Sequence, residues 1–277
     1  MRIACLLFLI LSLASCSTSH KTANADDWKL SWSEEFNYDG LPDSTKWSYD
    51  VGGHGWGNNE LEYYTNGSLD NATVSDGTLK IKVVREKKGD REYTSTRMHT
   101  KGKADFTYGK IEIKAKLPSG RGIWPAIWML GSNIGTVDWP DCGEIDIMEH
   151  VGFDKDTIVG TVHTKSYNHV KGTQKGKKVF IKDPYNTYHL YAIEWTPEGM
   201  GFLLDNVMYY HIANEHKTVA EWPFDSPFYL LLNVAVGGNW GGQKGVDPTI
   251  FPAAMEIDYV RVYTPAKSWS AITNKKL

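Results

Sequence analysis

Three carboxylates crowd one apolar segment: Glu144, Asp146 and Glu149 in Gly143-Glu144-Ile145-Asp146-Ile147-Met148-Glu149-His150. Crowded acids push one another's pKa values apart, which lets a proton donor and an ionised carboxylate coexist at one pH. Ile145, Ile147 and Met148 belong in a core, so the segment is held rigidly. The Ile-x-Ile pattern favours a strand. In a regular strand Glu144 and Asp146 share one face and the isoleucines the other, which leaves Glu149 on the wrong parity. One extra residue at Ile147-Met148, a β-bulge, returns Glu149 to the face of the other two acids. A helix, at about 100° per residue, points the acids along about 0°, 200° and 140° and gathers no common site. A solvated acidic face is the ordinary alternative. Like charges crowded on one strand are unfavourable, however, and cluster at functional sites.

A rigid strand needs neighbours. Trp124, Ala126 and Trp128 in Ile123-Trp124-Pro125-Ala126-Ile127-Trp128 share parity, so two Trp can line the face that carries the acids. Pro125 and the short length argue against a helix there. Phe106 to Leu117 alternates cleanly as a strand, and Leu79 to Val84 follows an Asp76-Gly77 hairpin signal. Trp28–Trp32, Thr157–His163, Tyr188–Trp195, Gly201–Tyr210, Phe228–Val236 and Met255–Tyr263 also read as strands. Lys165 to Lys182 is basic and reads as an exposed hairpin or loop. Some dozen strands with few helical periods and no repeat imply an all-β, two-sheet sandwich.

Composition sets the outer bounds. The 277 residues carry a net charge of -3, with no basic face to recruit nucleic acid. The 11 Trp and 15 Tyr are unusual. Most Trp are expected in the core. The remainder serve as flat platforms for a ligand with apolar faces, such as a sugar ring. Gly52 to Tyr64 is too glycine-rich at its start for a helix, and its Asn, Glu, Trp and Tyr read either as ligand contacts or as a solvated turn. Gly237-Gly238-Asn239-Trp240-Gly241-Gly242 lacks the ending of a phosphate loop. His163 and His169 do not match a recognised metal spacing.

Met1-Arg2 and the apolar run Ile3 to Leu13 form a signal segment too short to span a bilayer as a typical helix. Leu13-Ala14-Ser15-Cys16 resembles a bacterial lipobox. It divides the chain into a signal peptide (1–15), a tether lipidated at Cys16 (16–27), a globular domain (28–265) and a tail (266–277). Membrane contact is then expected through acyl chains alone, at the cell envelope. Ser17 lacks the Asp associated with inner-membrane retention, which favours the outer membrane. With Cys5 in the signal segment, Cys16 and Cys142 form no obvious disulfide framework.

Several motifs recur in one order: Gly55-Trp56-Gly57-Asn58-Asn59-Glu60, Tyr108-Gly109-Lys110, Trp124 to Leu130, Gly143 to Glu149, Ala192 to Pro197, Gly237 to Trp240 and Asp258 to Tyr263. Together they resemble the family 16 glycoside hydrolases, in their bacterial laminarinase-like endo-β-1,3(4)-glucanase branch. The resemblance spans Trp28 to Tyr263. It implies a β-jelly roll of two antiparallel sheets with a concave substrate cleft. It implies Glu144 as nucleophile, Glu149 as general acid/base and Asp146 between them, in a double displacement on β-glucan. The extra residue before Glu149 matches the laminarinase branch and departs from the Glu-x-Asp-x-Glu spacing of strict lichenases. The resemblance also puts Asn59, Arg97, Trp124, Trp128, His163 and Trp240 along the sugar subsites. Ser95-Thr96-Arg97 stands where the branch has Ser-Gly-Arg. No cofactor is implied for catalysis, and a monomer is expected. A structural Ca²⁺ is implied at Glu35, Gly77 and Asp258, bound partly by backbone oxygens. Two other readings are a non-catalytic glycan-binding lipoprotein and a family 16 hydrolase acting on a galactan.

Overall fold

The computed structural model describes residues 27–269. Cys16, the signal segment and nearly all of the tether lie outside the described residues.

The first strands are β1 (Trp28–Glu34), β2 (Ser48–Asp50), β3 (Glu62–Tyr64), β4 (Ala72–Ser75), β5 (Thr78–Val83), β6 (Tyr93–Ser95), β7 (Arg97–His99) and β8 (Gly109–Lys116). Then come β9 (Ile123–Gly131), β10 (Glu144–Glu149), β11 (Thr157–His163), β12 (Lys175–Phe180) and β13 (His189–Thr196). Last are β14 (Gly199–Leu204), β15 (Val207–Ala213), β16 (Phe228–Val236) and β17 (Ala253–Pro265). One sheet runs β15-β14-β13-β8-β17-β5-β4, with β1 also paired to β17. The other runs β12-β11-β10-β9-β16-β7-β2. The strand pairs within both sheets are antiparallel.

Alternation builds the core between them. On β8, Ile111, Ile113 and Ala115 are fully buried while Lys110, Lys114 and Lys116 keep partial exposure. Ile127 and Met129 of β9, Ile145 of β10 and Leu230 of β16 face them from the second sheet, within one cluster that includes Trp47, Trp195 and Phe202. A buried Phe or Leu is worth about 1.5–3 kcal/mol against exposure, so this cluster fixes the relative placement of the sheets.

Two sequence readings change. Gly201 to Tyr210 is a hairpin: Asp205 and Asn206 turn between β14 and β15 at φ 50° and 64°. Positive φ at both central residues is the turn that suits right-twisted strands. Within Lys165 to Lys182, Lys175–Phe180 is β12, an edge strand beside β11. Its side chains are partly or well exposed on both faces, so it carries no apolar alternation to read.

Candidate active site

The acidic strand is β10, between β9 and β11 in the second sheet. Its pairing shows the bulge directly. Asp146 lies opposite Trp128, then Met148 opposite Ile127 and Glu149 opposite Ala126, with the register broken between Asp146 and Met148. Ile147 and Met148 are both buried in the core. Glu149 therefore returns to the face of Glu144 and Asp146, which is the face of Trp124, Ala126 and Trp128. Gly143, at φ 81°, launches the strand; a Cβ there would meet Pro223 at 2.7 Å and Phe228 at 2.8 Å.

This face carries a cleft of about 870 Å³. Glu144, Asp146 and Glu149 lie in its floor, with Arg97, Trp124, Trp128, His163 and Trp240 around them. Asn59 does not line it. Asn59 is exposed and its amide donates to Asn239 Oδ1 at 2.8 Å, so it supports a residue that does line the cleft. Arg97 stands 4.9 Å from the Trp56 ring centroid and 4.7 Å from that of Trp128, and Asp50 accepts from its Nε at 2.9 Å. Five of the 11 Trp (56, 124, 128, 139 and 240) line the cleft, while only Trp47, Trp195 and Trp222 are buried, so the core claims fewer than expected.

Two of these indoles hold carboxylates. Trp139 Nε1 donates to Glu144 Oε2 at 2.9 Å, and Trp124 Nε1 donates to Glu149 Oε1 at 3.0 Å. Trp139 was not evident in the sequence. Its only signal is an aromatic in the loop just before the acidic strand. His163, opposite Glu144 on β11, places Nε2 3.3 Å from Asp146 Oδ2 and 3.7 Å from Glu144 Oε1.

Burial raises all three carboxyls. Glu144 is pushed up to about 8 by desolvation and then by the Asp146 charge, against the pull of His163 and Trp139. Desolvation also lifts Asp146 to about 8, partly offset by its hydrogen bond with Glu144. Glu149 is raised well above its ordinary value by burial, then by Asp146 and Glu144. Burial and two neighbouring anions thus favour the protonated form of Glu149.

Behind the floor runs a buried polar chain. Trp128 Nε1 donates to Asn233 Oδ1 at 2.8 Å, Asn233 Nδ2 donates to the Tyr64 hydroxyl at 3.1 Å, and Tyr64 donates to Glu60 Oε2 at 3.0 Å. Glu62, fully buried beside Glu60, is raised by desolvation and then by Glu60, and accepts the Val236 N–H at 2.6 Å. Tyr64→Phe strands one acceptor and one donor. It is expected to cost about 1–3 kcal/mol and to raise KM through a looser Trp128. Urea denaturation checks the first part; an unchanged midpoint contradicts it.

The residues implied for Ca²⁺ lie far from this face. Glu34 opposite Val260 and Leu79 opposite Ile257 put Glu35, Gly77 and Asp258 at one level of β17. Both Glu35 oxygens accept from Arg261, at 3.0 and 2.8 Å, and Asp258 pairs with Lys114 at 2.8 Å. Both carboxylates face cations, so a Ca²⁺ at this level of β17 would rest chiefly on backbone oxygens.

The family model for glycosyl hydrolases family 16 matches residues 59–261. A β-glucanase of Rhodothermus marinus is 55% identical over 265 residues, covering 92% of this chain and 93% of its own. The X-ray structure of the laminarinase from Rhodothermus marinus superposes with a TM-score of 0.85 at 55% identity, over 87% of this chain and 98% of that one. The crystal structure of SCLam, a non-specific endo-β-1,3(4)-glucanase, gives a TM-score of 0.84 at 47% identity, over 89% and 94%. With the family model matching most of the chain and relatives this similar over nearly its whole length, this chain is a member of glycosyl hydrolases family 16.

Proposed function

We propose that the protein is an endo-acting, retaining β-glucanase that hydrolyses β-1,3- and mixed-linkage β-1,3-1,4-glucans. The observation that carries this reading is the bulge, which sets Glu149 beside Glu144 and Asp146 in a cleft walled by Trp. Relatives described as a laminarinase and as a non-specific endo-β-1,3(4)-glucanase support the substrate class.

Retaining hydrolysis needs one carboxylate to attack the anomeric carbon and one carboxylic acid to protonate the departing oxygen. Glu144 takes the first role. The Trp139 N–H and the nearby His163 favour the ionised form of Glu144. Glu149, held protonated by burial and by the Asp146 and Glu144 charges, is the acid. Its proton passes to the glycosidic oxygen as the C–O bond breaks and the Glu144–sugar ester forms. That ester carries no charge, so one of the anions holding Glu149 protonated is gone. Glu149, left ionised by that transfer, now stays so, takes a proton from water, and the hydroxide oxygen displaces Glu144. Trp faces accept the sugar rings, and Arg97 and His163 meet hydroxyls.

Reducing-end release from laminarin and barley β-glucan tests this. Falling viscosity with oligosaccharide products is expected. Glycan binding without release would leave a binding protein, and release from agarose alone would make the substrate a galactan.

A further inference from the structure

Glu144, Asp146 and His163 form the one group of potential metal ligands found among the described residues, with donor atoms all within 4.8 Å of one another. Acids alone do not make a site, but two further observations single this one out. Asp146 is 3% exposed, and its Oδ2, the atom facing His163, is buried without a hydrogen bond. His163 is 6% exposed, and its Nδ1 has no hydrogen-bond partner either. With the ring proton on the unpartnered Nδ1, Nε2 presents its lone pair toward the two carboxylates.

The two distances from His163 approach those around a small tetrahedral ion. Ligand atoms about 2.0–2.1 Å from Zn²⁺ stand about 3.3 Å apart. Nε2 of His163 lies 3.3 Å from Asp146 Oδ2 and 3.7 Å from Glu144 Oε1. Trp139 holds the other oxygen of Glu144, which turns Oε1 toward the histidine. Ring contacts with Trp139, at 6.0 Å, and His169, at 5.1 Å, hold the imidazole from the sides. One imidazole with two carboxylates suits Zn²⁺. Ca²⁺ prefers six to eight oxygens at longer range, about 2.3–2.6 Å.

We propose that Glu144, Asp146 and His163 form a Zn²⁺ site in the cleft floor whose occupation shuts the enzyme off. The ion neutralises a crowded negative cluster. Its fourth position opens to the cleft, for water or a sugar hydroxyl. Metal binding does not depend on the catalytic roles assigned above; only the inhibition does.

Calorimetric titration of the full chain with ZnCl₂ tests the site. One saturable site is expected. Asp146→Asn and His163→Gln are each expected to weaken it by about tenfold or more, since even residues one shell out from a metal cost that much. His216→Gln, an exposed histidine paired with Glu198, is expected to change nothing. Laminarin hydrolysis should stop as the site fills and return with EDTA. Should a variant fail to fold, Co²⁺ added to the wild-type chain reports independently: intense four-coordinate visible bands support the site, and weak six-coordinate bands overturn it. Absence of one-site binding, or full binding in a folded His163→Gln, also overturns it. One-site binding without inhibition keeps the metal site and removes its link to turnover.

Discussion

Glu144→Gln is expected to lower kcat on laminarin by more than about 10⁴-fold, because no nucleophile remains to form the glycosyl ester. A better leaving group should not restore it, since the missing step is bond formation at the anomeric carbon. The protein should meanwhile become more stable at neutral pH. A carboxyl raised to about 8 in the fold binds more protons than in the unfolded chain. Its contribution is most favourable below the unfolded pKa and is lost as pH rises toward 8. Glutamine removes that loss, so the thermal midpoint at pH 7 should rise, and the difference from wild type should shrink near pH 4. Turnover within about tenfold of wild type would remove Glu144 from the nucleophile's role.

Glu149→Gln is expected to fail differently. General acid catalysis is worth about 10²–10⁴-fold, and all of it should be lost on a glucan, whose leaving group is a poor one. An aryl β-glucoside oligomer with an acidic phenol needs no proton to depart, so its first step should survive and the ester should accumulate. Azide, which attacks without a general base, should then speed turnover and yield a β-glycosyl azide. A pH–rate profile adds a further check. The descending limb of wild type reports loss of the acid's proton, and this limb should vanish on the aryl substrate in the variant. Equal losses on both substrates, with no azide effect, would assign the acid elsewhere.

Much of this was legible before any coordinates, and the reasons are local. Glu144 and Asp146 are separated by a buried isoleucine, and the period of a strand is strict enough that Glu149 had to be an exception or an irrelevance. The bulge between Asp146 and Met148 shows it to be an exception. Trp124 and Trp128 followed from the same parity. The ion pairs at Glu35 and Asp258 could not be read, because Arg261 and Lys114 reach them only through strand pairing. Trp139 sits in a loop with no period, so nothing in the sequence aims its N–H at Glu144. Asn59 and its neighbour Asn58 differ only in which way a tight turn faces them. Asn59 has φ 55° and points to Asn239, while Asn58 reaches the cleft wall. Edge strand β12 escaped because both its faces meet solvent.

The central claim is that Glu144 becomes covalently bound to sugar in the cleft floor. A 2-deoxy-2-fluoro laminari-oligosaccharide with a good leaving group slows hydrolysis of the ester more than its formation, and so traps it. Peptide mass spectrometry after a short incubation is expected to find one glycosyl group on Glu144. Label on Asp146 or Glu149, or products of inverted anomeric configuration with no label at all, would contradict the account.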